Sequence, residues 1–329
     1  MKADSASGSP VGSILRALFA NFSIAIIKTI TAVMTGSGAM LAESIHSFAD
    51  CANQLLLLLG LREAKAPESE EHPLGHGRVM YFYSLLVGMM LLLVGGAFSV
   101  YKGFEHFIHP EPLEYVGYAI LVLLASIALE GYALRGALKH IQKERAGKSL
   151  FKWFKETRSS EMLIVTGEDI AAISGLLLAL LSLCLAYVTG DSRWDAVGSM
   201  MVGGLLIMVA IFVISEIKSL IVGESASPEK NEAMEEFVKS RPEIKTLYRL
   251  VSLQWGEKII VLVQAEMHKT GSEIGLVDAT NRVEDSLKAS FPDIKYIYFE
   301  PDRNKEVHEY EDEEMEDEEM EDEVEQAKA

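Results

Sequence analysis

Long apolar runs separated by short polar stretches fill the first two thirds of the chain. Six of these runs are about 20 residues or longer, the length that a helix needs to cross the hydrocarbon core of a bilayer. They lie near residues 13–35, 38–62, 78–103, 113–139, 160–189 and 194–222. We therefore predict an all-α transmembrane domain of six helices over residues 13–222, preceded by a short tail over residues 1–12.

The pattern changes after Gly223. The segment SPEKNEAMEEFVKSR predicts a helix with Ser227 as its cap and Pro228 at its first position. Apolar residues that alternate on the far side of Gly256 predict a pair of strands joined by a turn, followed by an amphipathic helix and a third strand, IKYIYFEP. Residues 223–303 are thus predicted to form a small cytoplasmic α+β domain, and at about 80 residues such a domain gains from dimerisation.

Composition adds a third region. The chain is 49% hydrophobic and still carries a formal net charge of -18, because much of the acid lies in the last stretch, residues 304–329. We predict that this stretch is a disordered, solvated tail, with a low-affinity cation-binding segment as the alternative. Cys51 and Cys184 lie in apolar segments, so neither a disulfide framework nor a cysteine metal cluster is expected. We expect no cleavable signal peptide and no nucleic-acid partner.

The basic residues indicate the orientation in the membrane. The connection between the fourth and fifth segments carries Arg135, Lys139, Lys143, Arg145, Lys148, Lys152, Lys155 and Arg158. Arg62, Lys65 and Arg78 lie between the second and third segments, whereas the connections on the opposite side contain Arg193, with Lys102 at an edge. Basic loops face the cytoplasm. We therefore expect a multi-pass protein of the lipid bilayer with both termini cytoplasmic.

The second and fifth apolar segments contain ionisable side chains that are candidates for metal binding. His46 and Asp50 are four residues apart on the second segment, so they share one helix face and are able to hold a divalent cation from one side. The fifth segment contains Glu168 and Asp169. A charge at mid-membrane costs about 3 kcal/mol or more, and these groups do not neutralise one another, so a cation or protons must balance them. The alternative is a structural hydrogen bond between His46 and Asp50.

Other polar residues in the apolar segments have simpler interpretations. We expect Glu43 to be structural or to lie in a vestibule, because it is near the outer end of its segment. Glu130 and Arg135 are predicted to form a structural ion pair. Lys28 is expected to extend its ammonium group towards water or to pair with an acid.

The loop APESEEHPLGHGR, between the second and third segments, is a second candidate for metal binding. His72 and His76 are four residues apart, and a turn would bring their rings together. Neighbouring acids, Glu71 among them, add oxygen ligands. The sequence therefore predicts a secondary metal site of His72, His76 and Glu71, with a structured loop that binds no metal as the alternative.

Together these residues carry a resemblance to a known family. TGSGAMLAESIHSFADCANQLLLLLG, HPLGHGR, WDAVGSMMVGGLLI and LIVGESA resemble the cation diffusion facilitator family of divalent-metal/proton antiporters, in the branch with a Glu-Asp pair in the fifth helix. The resemblance implies a homodimer with ferredoxin-like cytoplasmic domains and a tetrahedral transport site. It assigns that site to His46, Asp50 and Asp169. The family has His or Asp where this chain has Val165, so Glu168 or a water takes the fourth position.

The resemblance also implies a cargo and a mechanism. The expected activity is efflux of a metal cation in exchange for protons, by alternating access, rather than an enzymatic reaction. Zn²⁺ is the first candidate for the transported metal because of the resemblance to the family. One nitrogen with two or three carboxylates is, however, a harder ligand set that suits Mn²⁺ or Fe²⁺. Co²⁺ and Cd²⁺ are further candidates. The cytoplasmic part offers His268 and the tail His308, so a multi-histidine sensing site is not expected.

Three other functions stay open at this point. Val165, at a ligand position, keeps a non-transporting partner or regulatory membrane subunit open as an alternative. A membrane metalloenzyme requires many histidines near the cytosolic face, whereas the eight histidines of this chain are scattered. A channel or a carrier that relays protons without metal is the third alternative.

Overall fold

The structure, a computed structural model, describes residues 10–145, 147 and 149–303. The first nine residues of the predicted N-terminal tail and the acidic tail, residues 304–329, lie outside the described residues. The described chain divides into two compact units. The first runs through Ser227 and includes Gln254–Lys258, and the second comprises Pro228–Leu253 and the described residues from Ile259 onward.

The first unit is helical. Its helices are α1 (Pro10–Thr35), α2 (Gly38–Ala64), α3 (Val79–Met90), α4 (Phe98–Ile108), α5 (Val116–Arg145), α6 (Leu150–Glu156), α7 (Ser160–Thr189) and α8 (Arg193–Val222). A π-helical segment, Leu91–Ala97, joins α3 and α4 into one continuous helix. Each of the six predicted apolar segments overlaps a long helix, with ends that differ by up to six residues. The short helix α6 is not among the predicted elements; Ser149 caps its first turn, and its Trp153 and Phe154 are buried.

Within the described ranges, four helices are long and apolar enough to cross a membrane. They are Val79–Ile108, Val116–Gly136, Ser160–Thr189 and Arg193–Val222. Of the remaining long helices, α1 contains the described apolar stretch Asn21–Thr35, and the middle of α2 carries ionisable residues. Large apolar side chains on the long helices are exposed, among them Val188 and Phe19. The unit is therefore an integral membrane domain.

A buried carboxylate joins the start of α2 to α8. Asp195, near the beginning of α8, is 1% exposed. The Ser37 hydroxyl donates to its Oδ1 at 2.6 Å, and the Gly38 amide donates to its Oδ2 at 2.6 Å. Ser37 also accepts from the Met40 amide as the N-cap of α2. Asp195 thus satisfies a free N–H group of the first turn of α2 from a neighbouring helix.

The continuous α3–α4 helix and α8 approach each other closely at glycines. A Cβ atom built on Gly203 of α8 would lie 2.7 Å from the Gly96 carbonyl oxygen and 2.7 Å from the Val100 amide nitrogen. A Cβ atom on Gly103 would lie 2.8 Å from the Met200 amide nitrogen. Glycine allows this approach because it has no side chain. The two helices therefore pack backbone against backbone.

A pair of adjacent glycines tests this packing. A Cβ atom on Gly204 meets nothing within 4 Å, in contrast to one on Gly203. Both replacements by alanine gain the same helix propensity, so the difference between them reports the clash alone. We expect Gly203→Ala to be less stable than Gly204→Ala by about 1–3 kcal/mol in thermal or denaturant unfolding of the purified protein. Equal stability of the two variants would show that the helices are not tightly packed there.

The second unit contains a three-stranded sheet with helices. Its elements are α9 (Pro228–Lys239), β1 (Ile244–Trp255), β2 (Lys258–Met267), α10 (Glu273–Ser290) and β3 (Ile294–Pro301), except that the tip of the β1–β2 hairpin, Gln254–Lys258, belongs to the first unit. The strand order is β1-β2-β3, and β2 pairs with β3 in parallel. Alternate residues of β2, including Val261 and Val263, are buried together with Val238 of α9 and Leu287 of α10. The predicted order of helix, two strands, helix and strand is confirmed, and Gly256 adopts the positive φ that the turn requires.

Candidate metal site

A cavity of about 60 Å³ lies between four helices of the membrane domain. It is lined by Asn21 and Ile24 of α1, Ser47, Asp50 and Gln54 of α2, Glu130 of α5, and Val165, Glu168, Asp169 and Ala172 of α7. Among the described residues, four carboxyl groups from three helices thus border one space. A single water needs about 10–15 Å³ of such volume, so a metal ion with some of its water fits.

His46 and Asp50 lie together on α2, as their spacing predicts. The distance from His46 Nδ1 to Asp50 Oδ1 is 3.5 Å, and His46 is 1% exposed. Neither ring nitrogen of His46 has a hydrogen-bond partner, and Asp50 Oδ1 has none. Buried polar atoms are normally hydrogen-bonded. The predicted alternative, a structural hydrogen bond between the two residues, is therefore not formed, and their polar atoms remain available to a cation.

Both acids predicted on α7 border the cavity. Asp169 and Glu168 line it with Asp50, and Val165, one helical turn before Asp169, lines it as well. The apolar Val165 side chain thus occupies the place where the family pattern has a ligand. Glu168 nevertheless brings a second carboxylate of α7 to the same space.

Asn53, which was not among the predicted site residues, links the two helices that carry these residues. Asn53 is fully buried on α2, one turn beyond Asp50. Its Nδ2 donates to Glu168 Oε1 at 2.5 Å, and its Oδ1 has no hydrogen-bond partner. The only signal in the sequence is an amide three residues after Asp50, which places it on the same side of the helix.

Glu130 was assigned to the wrong partner. In the part of the chain that the structure describes, it forms no ion pair with Arg135. Residues five apart on a helix point about 140° away from each other, which explains the error. Glu130 instead lines the cavity with Asp50 and Asp169.

Lys28 of α1 pairs with Glu43 of α2 beside this site. Lys28 Nζ donates to Glu43 Oε2 at 3.2 Å and to Ser47 Oγ at 2.9 Å. Lys28 is 1% exposed and Glu43 is wholly buried. The prediction that Lys28 pairs with an acid is confirmed, and of the two roles predicted for Glu43 the structural one is supported, because a vestibular residue would be exposed.

In this conformation the carboxylates of the cavity and the imidazole of His46 are too far apart to bind one ion together. No three His, Cys, Asp or Glu side chains within residues 10–145, 147 and 149–303 are arranged to hold one ion in this conformation. The amide of Asn53 engages one oxygen of Glu168. Binding of a cation by ligands from both α2 and α7 therefore requires side chains or helices around the cavity to move closer.

The loop histidines approach each other as predicted. The ring centroids of His72 and His76 are 4.4 Å apart and their planes are inclined by 36°. The Gly75 amide donates to the His72 carbonyl oxygen at 2.9 Å and so closes the turn between them. His76 Nδ1 is buried without a hydrogen-bond partner, whereas Glu71 is exposed. The secondary site of His72, His76 and Glu71 stays a prediction.

Three relatives illustrate what the chain is similar to. It is 30% identical to the Homo sapiens "Proton-coupled zinc antiporter SLC30A9, mitochondrial" over 231 residues, which are 70% of this chain and 41% of that protein. It is 28% identical to metal tolerance protein C4 of Arabidopsis thaliana over 238 residues, 72% of this chain and 52% of that one. It is 24% identical to the manganese efflux system protein MneP of Bacillus subtilis over 292 residues, 86% and 92% of the two chains.

The chain thus spans less than half the length of its SLC30A9 relatives, although it covers most of the bacterial protein. A family model for the cation efflux transmembrane domain matches residues 14–222. That range contains the four helices that are long and apolar enough to cross a membrane, together with every residue of the cavity. The chain is therefore a member of the cation efflux, or cation diffusion facilitator, family, whose members are transporters rather than enzymes.

Proposed function

We propose that this protein exports a divalent metal cation through the cavity between α1, α2, α5 and α7 in exchange for protons. The observation that carries the proposal is His46, buried with both ring nitrogens unbonded, beside Asp50 at a cavity that four carboxyl groups line. Zn²⁺ is the leading cargo and Mn²⁺ the main alternative. Relatives named as a zinc antiporter and as a manganese efflux protein support both.

The proposed ligands are His46, Asp50 and Asp169, with Glu168 or a water in the fourth position. A metal binds neutral imidazole and ionised carboxylates, so loading the site releases protons. After the helices expose the site to the other side of the membrane, protons that bind the same groups displace the metal. This scheme couples metal movement to proton movement without ATP.

The proposal includes an architecture. All six long helices span the bilayer over residues 13–222, both termini face the cytoplasm, and residues 223–303 form a ferredoxin-like domain that holds a homodimer together. The basic connection between α5 and α7 supports the orientation. The order helix, strand, strand, helix, strand in the second unit supports the ferredoxin-like assignment.

Reconstituted vesicles provide the test. Full-length protein is placed in liposomes that enclose a pH-sensitive dye, and Zn²⁺ or Mn²⁺ is added outside. We expect the lumen to become more alkaline as metal enters and protons leave, and protein-free liposomes to show no such change. A protein that moves neither metal would contradict the proposal and favour the non-transporting subunit, whereas metal entry without a pH change would remove the proton coupling.

Asn53 offers a second test of the site. Its amide orients Glu168, and loss of a group that orients a metal ligand typically weakens metal binding 10–100-fold. We expect Asn53→Ala to weaken Zn²⁺ binding by about tenfold in calorimetric titration of the purified protein. Ser174→Ala is the control, because that hydroxyl donates to the Ile170 carbonyl oxygen of its own helix. If both variants bind Zn²⁺ like the wild type, Glu168 is not a ligand that Asn53 positions.

A further inference from the structure

One carboxylate of the cavity has no role in the ligand set proposed above. Glu130 lies on α5, whereas His46 and Asp50 lie on α2 and Glu168 and Asp169 lie on α7. Among the described residues that line the cavity, Glu130 is the only one from α5. A cation that also contacted Glu130 would therefore bind ligands from a third helix.

Glu130 is close enough to the proposed ligands to interact with them electrostatically. It borders the same small cavity as Asp50 and Asp169. It does not pair with Arg135, and the buried ammonium group of Lys28 is bonded to Glu43 and Ser47. A carboxylate within an apolar span costs about 3 kcal/mol or more unless a partner compensates it. A cation in the cavity is the partner that the surroundings of Glu130 offer.

A second, independent sign of a ligand lies next to the cavity, at His46, which contacts Asp50 but is not itself one of the lining residues. His46 is 1% exposed, and neither ring nitrogen has a hydrogen-bond partner. The imidazole is 3.5 Å from Asp50, which lines the cavity with Glu130. An unbonded imidazole at the edge of a group of carboxylates is the arrangement that a divalent cation completes.

We propose that Glu130 is a further ligand of the transported cation and biases the site towards Mn²⁺, an inference that rests on the proposed function. With Glu130 the donors are one nitrogen and up to four carboxylates. Zn²⁺ is satisfied by four ligands, preferably nitrogen or sulfur. Mn²⁺ prefers six oxygen-rich ligands. The additional carboxylate therefore contributes more to the binding of Mn²⁺ than to that of Zn²⁺.

Metal binding to three forms of the full-length protein tests this role. The dissociation constants for Zn²⁺ and for Mn²⁺ are measured by calorimetry at one pH and ionic strength, with MnCl₂ and ZnCl₂ as the probes. We expect Glu130→Gln to weaken Mn²⁺ binding by about tenfold or more and Zn²⁺ binding by no more than about threefold. The control Glu105→Gln removes a carboxylate outside the cavity, one bonded to Lys102, and should leave both constants unchanged.

Glu130→Asp keeps the charge and shortens the side chain, so it separates a ligand from a distant charge. A ligand role predicts that this variant also loses Mn²⁺ affinity selectively. Equal losses for the two metals, or unchanged constants in both variants, would overturn the inference, because a distant charge acts alike on all dications. If either Glu130→Gln or Glu130→Asp does not fold, the dissociation constants of the other variant test the inference. Wild-type protein that neither binds nor transports either metal would instead overturn the proposed function.

Discussion

Asp50→Asn is expected to abolish cation transport while leaving the protein folded. Asp50 lies 3.5 Å from the imidazole of His46 and lines the cavity with both acids of α7, so it is central to the proposed ligand set. Asparagine has the same shape but lacks the charge and one oxygen ligand. Loss of a group that merely orients a ligand costs about 10–100-fold in affinity, and loss of a ligand costs more. We therefore expect the initial rate of metal-driven pH change in liposomes to fall to background.

The same substitution at an exposed position provides the control. Asp191 lies in the connection between α7 and α8, where its side chain accepts a hydrogen bond from the Arg193 amide. Asp191→Asn should transport at the wild-type rate. Wild-type transport by Asp50→Asn would exclude the proposed site, and equal losses in the two variants would show that the effect is not specific to the cavity.

Lys28→Met is expected to destabilise the membrane domain strongly. The Lys28 ammonium and the Glu43 carboxylate are both buried and lie 3.2 Å apart. Removing the ammonium leaves the carboxylate without its partner in the interior, and breaking a buried pair in this way costs about 3–5 kcal/mol. The measurement is the midpoint of thermal unfolding of the purified protein, together with its free energy of unfolding in denaturant.

Two further variants separate the loss of the pair from the loss of the side chain. Lys28→Met combined with Glu43→Gln removes both charges, and removing both partners of a buried pair is often nearly neutral. The double variant should therefore recover most of the lost stability. Lys102→Met breaks the partly exposed pair with Glu105 and should cost no more than about 1 kcal/mol. A double variant as unstable as Lys28→Met alone would show that Glu43 was not left uncompensated.

Much of the fold could be predicted from the sequence because local signals mark the ends of the helices and strands. Gly36 with positive φ and the cap Ser37 separate α1 from α2, close to the predicted boundary. Ser227 immediately precedes α9, Pro228 is its first residue, and Gly256 forms the turn between β1 and β2. Each of these residues acts on the backbone next to it, so a single sequence is sufficient to find it.

The sequence predicts the candidate site only where the residues concerned lie on a single helix. The i, i+4 spacing of His46 and Asp50 fixes their shared face within α2, and the structure confirms it. The bond between Asn53 and Glu168 joins residues 115 positions apart. Which faces of two helices meet is decided by packing across the bundle, and no local pattern records it. Glu130 was therefore assigned to Arg135 by sequence proximity, whereas its actual neighbours lie on other helices.

The hydrogen bonds that Asp195 accepts from the start of α2 restrict how the proposed transport cycle can proceed. His46 lies eight residues beyond Gly38, about 12 Å along the helix axis at 1.5 Å per residue. Sliding α2 along α8 would strip a buried carboxylate of the hydrogen bonds from Ser37 and Gly38. Rotation of α2 about Gly38 preserves these hydrogen bonds and still displaces His46, because His46 lies about 12 Å from the fixed end. In the proposed cycle we therefore expect α2 to rotate about Gly38, so that the proposed ligands move sideways instead of along the helix axis.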